Sequence, residues 1–206
     1  MKNIFITGGN RGIGRGLVDI FSENNKVFFS ARDKDKARSV IESIENENIG
    51  YVTMDIAHEQ SVLKGIESLK EKTDSIDILI NNAGILIPGL KHKIDAVETD
   101  DESILKTFNT NTVGVLRVCK AVLPMMQPKS RIINISSGMG QMEGMATGSI
   151  AYRLSKSALN ALTIVLSQEL SSRDIKVNAI CPGWVQTDMG GYEATLTVKE
   201  LSLIHI

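Results

Sequence analysis

The chain has 206 residues, 42% of them apolar and 23% charged, with 23 basic against 24 acidic side chains for a formal net charge of -1. That length suits one well-buried α/β core and is short for two, and the composition is that of a globular chain, which excludes general disorder. No block of like charge is long enough to make a track for nucleic acid or anionic lipid, so neither partner is expected.

Met1-Lys2 leads straight into Asn3-Ile4-Phe5-Ile6-Thr7, an apolar run too short for a signal peptide or a membrane span, and the cytoplasm is the expected compartment. Further short runs rich in Ile, Val and Phe follow at Lys26 to Ala31, Gly50 to Met54, Ile76 to Ile80, Arg131 to Ile135 and Ile175 to Ile180. Most are apolar throughout, as strands covered on both faces should be. Between them the helical period predicts helices near Gly12 to Asn24, Lys34 to Asn48, His58 to Thr73, Asp100 to Met126 and Ser149 to Ser172. Right-handed crossovers then give an α/β fold with a doubly wound parallel sheet, strand order 3-2-1-4-5-6. Cys119 and Cys181 lie in apolar stretches and read as small buried residues rather than a disulfide. His58, His92 and His205 share no ligand spacing with them and read as surface histidines, so no metal site is expected.

After the first strand comes Thr7-Gly8-Gly9-Asn10-Arg11-Gly12-Ile13-Gly14, opening into a helix. Gly8 suits a tight turn, Gly12 lets backbone approach a pyrophosphate, and Gly14 allows close packing of helix on strand. The helix N-terminus then offers free N–H groups to phosphates. In dinucleotide folds the residue ending the second strand meets the adenine ribose, an acid suiting a 2′-hydroxyl and an Arg a 2′-phosphate. Arg32 holds that place, and Arg11 supplies a second cation, so the expected cofactor is NADP(H) over NAD(H). Asp33, next to Arg32, is the one residue that argues the other way.

Tyr152 and Lys156 stand four residues apart on one helix face. A phenol of pKa about 10 becomes a usable acid/base when a neighbouring ammonium stabilises its anion. Ser137 follows a buried strand at the carboxyl edge, where its hydroxyl can bond the oxygen that Tyr152 protonates, and alternation turns Ser136 to the other face. The helix Ser157 to Leu170 is apolar around much of its circumference and meets either a partner subunit or its own loops. Met139, Met142 and Met145 precede Tyr152 and form either an adaptable apolar pocket or ordinary loop packing.

The ordered set Asn81-Asn82-Ala83-Gly84, Asn111-Thr112-Val113-Gly114, Ile135-Ser136-Ser137, Tyr152-Arg153-Leu154-Ser155-Lys156 and Pro182-Gly183 resembles the short-chain dehydrogenase/reductase family, with wording around Tyr152 most like its carbonyl-reductase branch of sniffer-type enzymes. The resemblance implies a Rossmann domain that transfers hydride between NADP(H) and a carbonyl or alcohol. It implies Asn111, Ser137, Tyr152 and Lys156 as the catalytic set, Asn111 interrupting its helix and holding a water on a proton path to Lys156. It places Gly8, Asn10, Arg11, Gly12, Ile13, Gly14 and Arg32 on the phosphates, with Asp55 and Ile56 beside the adenine. Asn82, Ala83 and Gly84 back its ribose, and Tyr152, Lys156, Pro182, Gly183, Val185 and Thr187 lie along the nicotinamide end. A homo-oligomer through the helices containing Asn111 and Tyr152 is also implied. A catalytically silent nucleotide-binding regulator is the alternative, and a sugar-nucleotide epimerase is disfavoured by length.

The chain reads as a single domain over 1–206, with 190–206 a C-terminal segment that looks truncated and a seventh strand missing or atypical. Thr197-Val198-Lys199-Glu200 has the form of a helix start. Leu201 to Ile206 reads as a short edge strand or as an end that packs nowhere, the second being preferred.

Overall fold

The computed structural model describes residues 1–44, 46–87 and 96–204. The apolar runs form β1 (Asn3–Ile6), β2 (Lys26–Ala31), β3 (Ile49–Thr53), β4 (Ile78–Asn81), β5 (Arg131–Ile135) and β6 (Lys176–Ile180). They pair in parallel throughout, in the order β3-β2-β1-β4-β5-β6. Parallel neighbours need crossovers, and these carry α1 (Gly12–Phe21), α2 (Lys34–Ser43), α3 (Glu59–Lys70), α4 (Asp101–Phe108), α5 (Gly114–Val122) and α6 (Ile150–Glu169); α7 (Val198–Ile204) follows β6.

Alternation along the strands feeds two cores. Phe5, Phe28, Leu79 and Ile132 point to one side, against Val62 and Ile66 of α3, Val118 of α5 and Leu159 of α6. Ile4, Ile6, Val27 and Phe29 point to the other, against Leu17 and Val18 of α1 and Val40 of α2. Each such side chain contributes about 1.5–3 kcal/mol on leaving water. The strand order reverses between β1 and β4, which opens a crevice at their carboxyl ends.

Four expectations need correction. First, β6 is an edge strand left largely open, with Val177 buried but Lys176, Asn178 and Ala179 exposed, and no strand lies outside it among the described residues. Second, the continuous helix that periodicity gave from Asp100 to Met126 is divided at Asn111, where the resemblance implied an interruption: α4 and α5 are joined by a π-helical turn at Asn109–Val113. Third, Cys181 is exposed, because it stands just past the end of edge strand β6; Cys119 is buried in α5 as expected.

The fourth correction concerns the tail. Val198–Ile204 is helical and lies against α1, with Leu201 buried, so neither the edge strand nor the unpacked end describes it; 205–206 lie outside the described residues. Its start is a reciprocal cap. Glu200 accepts from the Thr197 amide at 2.7 Å, and Thr197 Oγ1 accepts from the Glu200 amide at 3.2 Å. His58 is at the surface, whereas His92 and His205 fall outside the described residues. Among the described residues no helix is long and apolar enough to cross a membrane.

Candidate active site

The turn after β1 is tied to the end of β4. Thr7 Oγ1 accepts from the amides of Asn82 and Ala83, both at 3.0 Å, and Asn82 Nδ2 donates back to the carbonyls of Thr7 and Gly8 at 2.9 and 3.1 Å. A side chain on Gly14 would collide with the Gly8 carbonyl and with Asn82, so glycine is what lets α1 begin this close to both strands.

At the end of β2, Arg32 is exposed, while Asp33 is already engaged. Its Oδ1 accepts from the amides of Asp35 and Lys36 at 2.9 and 3.1 Å, which caps α2. The carboxylate that argued against a 2′-phosphate is therefore turned into its own helix. Arg11 is not free: its Nη1 lies 2.7 Å from Asp188 Oδ2, across from the loop after β6.

Asn111 sits in the π-helical turn, and wide turns of this kind recur at functional sites because they re-aim one residue without ending the helix. Its Oδ1 accepts from the Ile85 amide at 2.8 Å, and its Nδ2 donates to the Ile85 carbonyl at 2.9 Å and to Ser155 Oγ at 3.1 Å. Fully buried, it braces the segment after β4 against α6.

At the end of β5 the two serines diverge as alternation required. Ser136 Oγ donates to Asn160 Oδ1 at 2.6 Å, on α6. Ser137 Oγ accepts from the Met139 amide at 3.1 Å, and Ser137 lines the same cleft wall as Tyr152. Tyr152 and Lys156, on successive turns of α6, are both buried, with Nζ 5.6 Å from the centre of the phenol ring and 2.7 Å from the Ile135 carbonyl it donates to.

Burial decides the electrostatics here. Desolvation pushes the Tyr152 phenol up to about 12, against the hydrogen bond from Ser137, and the nearby Cys181 adds to the rise. Desolvation likewise lowers Lys156 to about 8. The expectation that the ammonium makes the phenol more acidic is thus reversed in the protein alone. The cause is that both groups are out of water and Lys156 is itself pushed toward neutrality.

A cleft of about 320 Å³ runs along the carboxyl ends of the strands. Its wall holds Gly8, Asn10, Arg11, Gly12, Ile13, Arg32, Asp55, Ile56, Asn82, Ala83, Gly84, Ser137, Tyr152, Lys156, Pro182, Gly183, Val185 and Thr187. Of the site residues read from the sequence, Gly14 and Asn111 stand behind that wall. The Thr187 hydroxyl is already used within its loop, accepting from the Gly190 amide at 3.0 Å. Of the three loop methionines, Met139 alone lines the cleft. Ile85, Leu86, Trp184, Asp188 and Met189 line it too and were missed; their place after β4 and β6, at the carboxyl edge, was the available signal.

The short chain dehydrogenase profile matches residues 2–195. The chain is 32% identical over 193 residues to the 3-oxoacyl-acyl-carrier-protein reductase FabG of Chlamydia pneumoniae, covering 91% of this chain and 75% of that protein. Among solved structures it superposes on the carbonyl reductase Sniffer of D. melanogaster with TM-score 0.87 and 32% identity, covering 98% of this chain and 88% of that one. It also superposes on the NADPH-bound carbonyl reductase from chicken fatty liver with TM-score 0.88 and 29% identity, covering 98% and 84%. A profile match over nearly the whole chain, on a six-stranded sheet wound in this order, places the protein in the short-chain dehydrogenase family of oxidoreductases.

Proposed function

We propose that the chain, as one catalytic unit, is an NADP(H)-dependent carbonyl reductase acting on ketones, aldehydes or quinones, with Tyr152 as its acid/base. The observation that carries this reading is that Ser137, Tyr152 and Lys156 line one cleft together with the glycine turn and Arg32. The NADPH-bound chicken carbonyl reductase supports the cofactor, as does the capping role of Asp33, which leaves Arg32 as the charge at the end of β2.

The cleft fits a dinucleotide. Glycine-rich backbone and the N-terminus of the 10-residue helix α1 stand at its centre, where phosphates are held without a cation of their own. Arg32 and Arg11 supply the charge for a 2′-phosphate. When bound, NADPH supplies the hydride. Everything else falls to side chains of this chain.

Tyr152, with its phenol pushed up to about 12, is protonated at neutral pH and is the proton donor to the substrate oxygen. Ser137 accepts from the Met139 amide, which holds its hydroxyl in place, and its one proton turns from Tyr152 to the substrate oxygen on which charge develops. Lys156, still an ammonium below about 8, stabilises the phenolate that Tyr152 leaves behind. Asn111 keeps α6 and the segment after β4 in register, and the water path toward Lys156 is assigned to its turn. Exposed Leu105 and Phe108 on α4 and Ile164 and Val165 on α6 leave an apolar face that we assign to a second copy of the chain.

The test is NADPH oxidation across ketones, aldehydes, quinones and 3-oxoacyl thioesters. Turnover on one of the first three classes is expected. Tight NADPH binding with no turnover on any class would favour the silent regulator instead.

A further inference from the structure

Arg11 and Asp188 are 177 residues apart in sequence and form a 2.7 Å ion pair across the cleft, both lining it. Asp188 belongs to a loop braced from within: Trp184 Nε1 donates to the Gly190 carbonyl at 2.9 Å, and the Gly190 amide donates to Thr187 Oγ1 at 3.0 Å. The same loop touches the glycine turn again, where a Cβ on Gly12 would come within 3.2 Å of the Thr187 methyl. Loop and turn are therefore in contact, and the ion pair is the part of that contact that charge can undo.

We propose that Asp188 tunes the discrimination between NADPH and NADH by holding Arg11 on the loop, so that Arg11 must exchange one anion for another when the phosphorylated cofactor binds. The proposal rests on the reading above that Arg11 serves the 2′-phosphate. Arg11 and Asp188 are 60% and 77% exposed, and an ion pair this open is weak, so exchange is easy. A phosphate offers the guanidinium a stronger, two-pronged charge-assisted bond than one carboxylate oxygen does. NADH carries no 2′-phosphate to receive Arg11, so the pair with Asp188 survives its binding. The loop thus stays fastened with NADH and is unfastened with NADPH. Affinity for NADPH alone is reduced by the fraction of molecules in which Arg11 is held on the loop.

The experiment measures dissociation constants of both cofactors by calorimetry for the parent, Arg11→Gln, Asp188→Asn and the double variant. Both side chains are exposed, so all four proteins should fold. Asp188→Asn is expected to tighten NADPH about two- to fivefold more than NADH, the range set by an exposed pair. In the Arg11→Gln background the extra gain of NADPH over NADH from Asp188→Asn should shrink to what the screened repulsion between Asp188 and the 2′-phosphate leaves; a gain as large as in the parent would overturn the proposal. Trp184, the one tryptophan of the chain, lies on this loop and reports it directly: its emission should shift on Asp188→Asn without any cofactor. If Arg11→Gln lowers the NADPH preference but Asp188→Asn moves both cofactors alike, the cofactor reading stands and the tuning role is wrong. If Arg11→Gln leaves the preference unchanged, the reading of Arg11 fails and the proposal fails with it.

Discussion

Gly140 links the two halves of the proposed catalytic set, and a single methyl there is expected to separate them. Its carbonyl accepts from Ser157 Oγ at 3.1 Å and from Asn160 Nδ2 at 3.0 Å, so the turn after Ser137 is fastened to α6 at the level of Lys156. A Cβ at this position would lie 2.7 Å from the Lys156 carbonyl carbon. In Gly140→Ala that backbone must retreat from 2.7 Å to the 3.4 Å of ordinary contact, a movement of about 0.7 Å. Helix backbone does not deform locally at low cost, so α6 shifts with Tyr152 and Lys156 on it, away from Ser137. Overpacking of this kind costs about 1–3 kcal/mol, which for a chain of this size is a fall of about 2–12 °C in melting temperature. Misplacement approaching 1 Å at a reacting centre costs on the order of 10- to 10²-fold in rate. Steady-state NADPH oxidation and thermal melting of parent and variant decide the matter. A variant within twofold in kcat/KM and about 1 °C in melting temperature would refute the argument that this contact positions the site.

Two further outcomes follow from burial. Lys156 is lowered to about 8, so the ammonium that supports the departing phenolate is present below that pH and lost above it. Reduction should hold level from about pH 6 to pH 8 and then fall about tenfold per unit in kcat/KM, and a profile level to about pH 10 would contradict the role given to Lys156. Leu201 is buried in α7; Leu201→Ala should cost about 2 kcal/mol, the low end for a core leucine, and lower the melting temperature by about 4–8 °C. A change under about 1 °C would return the tail to the unpacked state first expected of it.

Strand positions and their order were legible because period and chirality act locally: apolar runs with β-branched residues alternate with helical stretches, and crossovers turn one way. That the glycine turn, Ser137, Tyr152 and Lys156 would line one cleft was legible for a related reason, since each stands at or just beyond the carboxyl end of a strand or on the next helix. What escaped depended on contacts between distant segments. Nothing around Asp188 points to Arg11, the capping role of Asp33 depends on where β2 stops, and the direction of the Tyr152 shift depends on how many atoms exclude water from it. The π-helical turn at Asn109–Val113 has no periodic signature of its own, because one wide turn barely moves the apolar stripe of the helices on either side. The openness of β6, by contrast, was there to be read, since Lys176 and Asn178 interrupt its apolar residues.

The central claim is that Tyr152 delivers the proton, and Tyr152→Phe tests it by removing one hydroxyl from a buried ring. Single-turnover NADPH oxidation with a saturating carbonyl substrate should slow at least ~10²-fold, while NADPH affinity, measured in the same preparation, stays within about threefold because the ring still fills its place. A variant that turns over within about threefold of the parent would contradict the account, since the proton would then be coming from somewhere else.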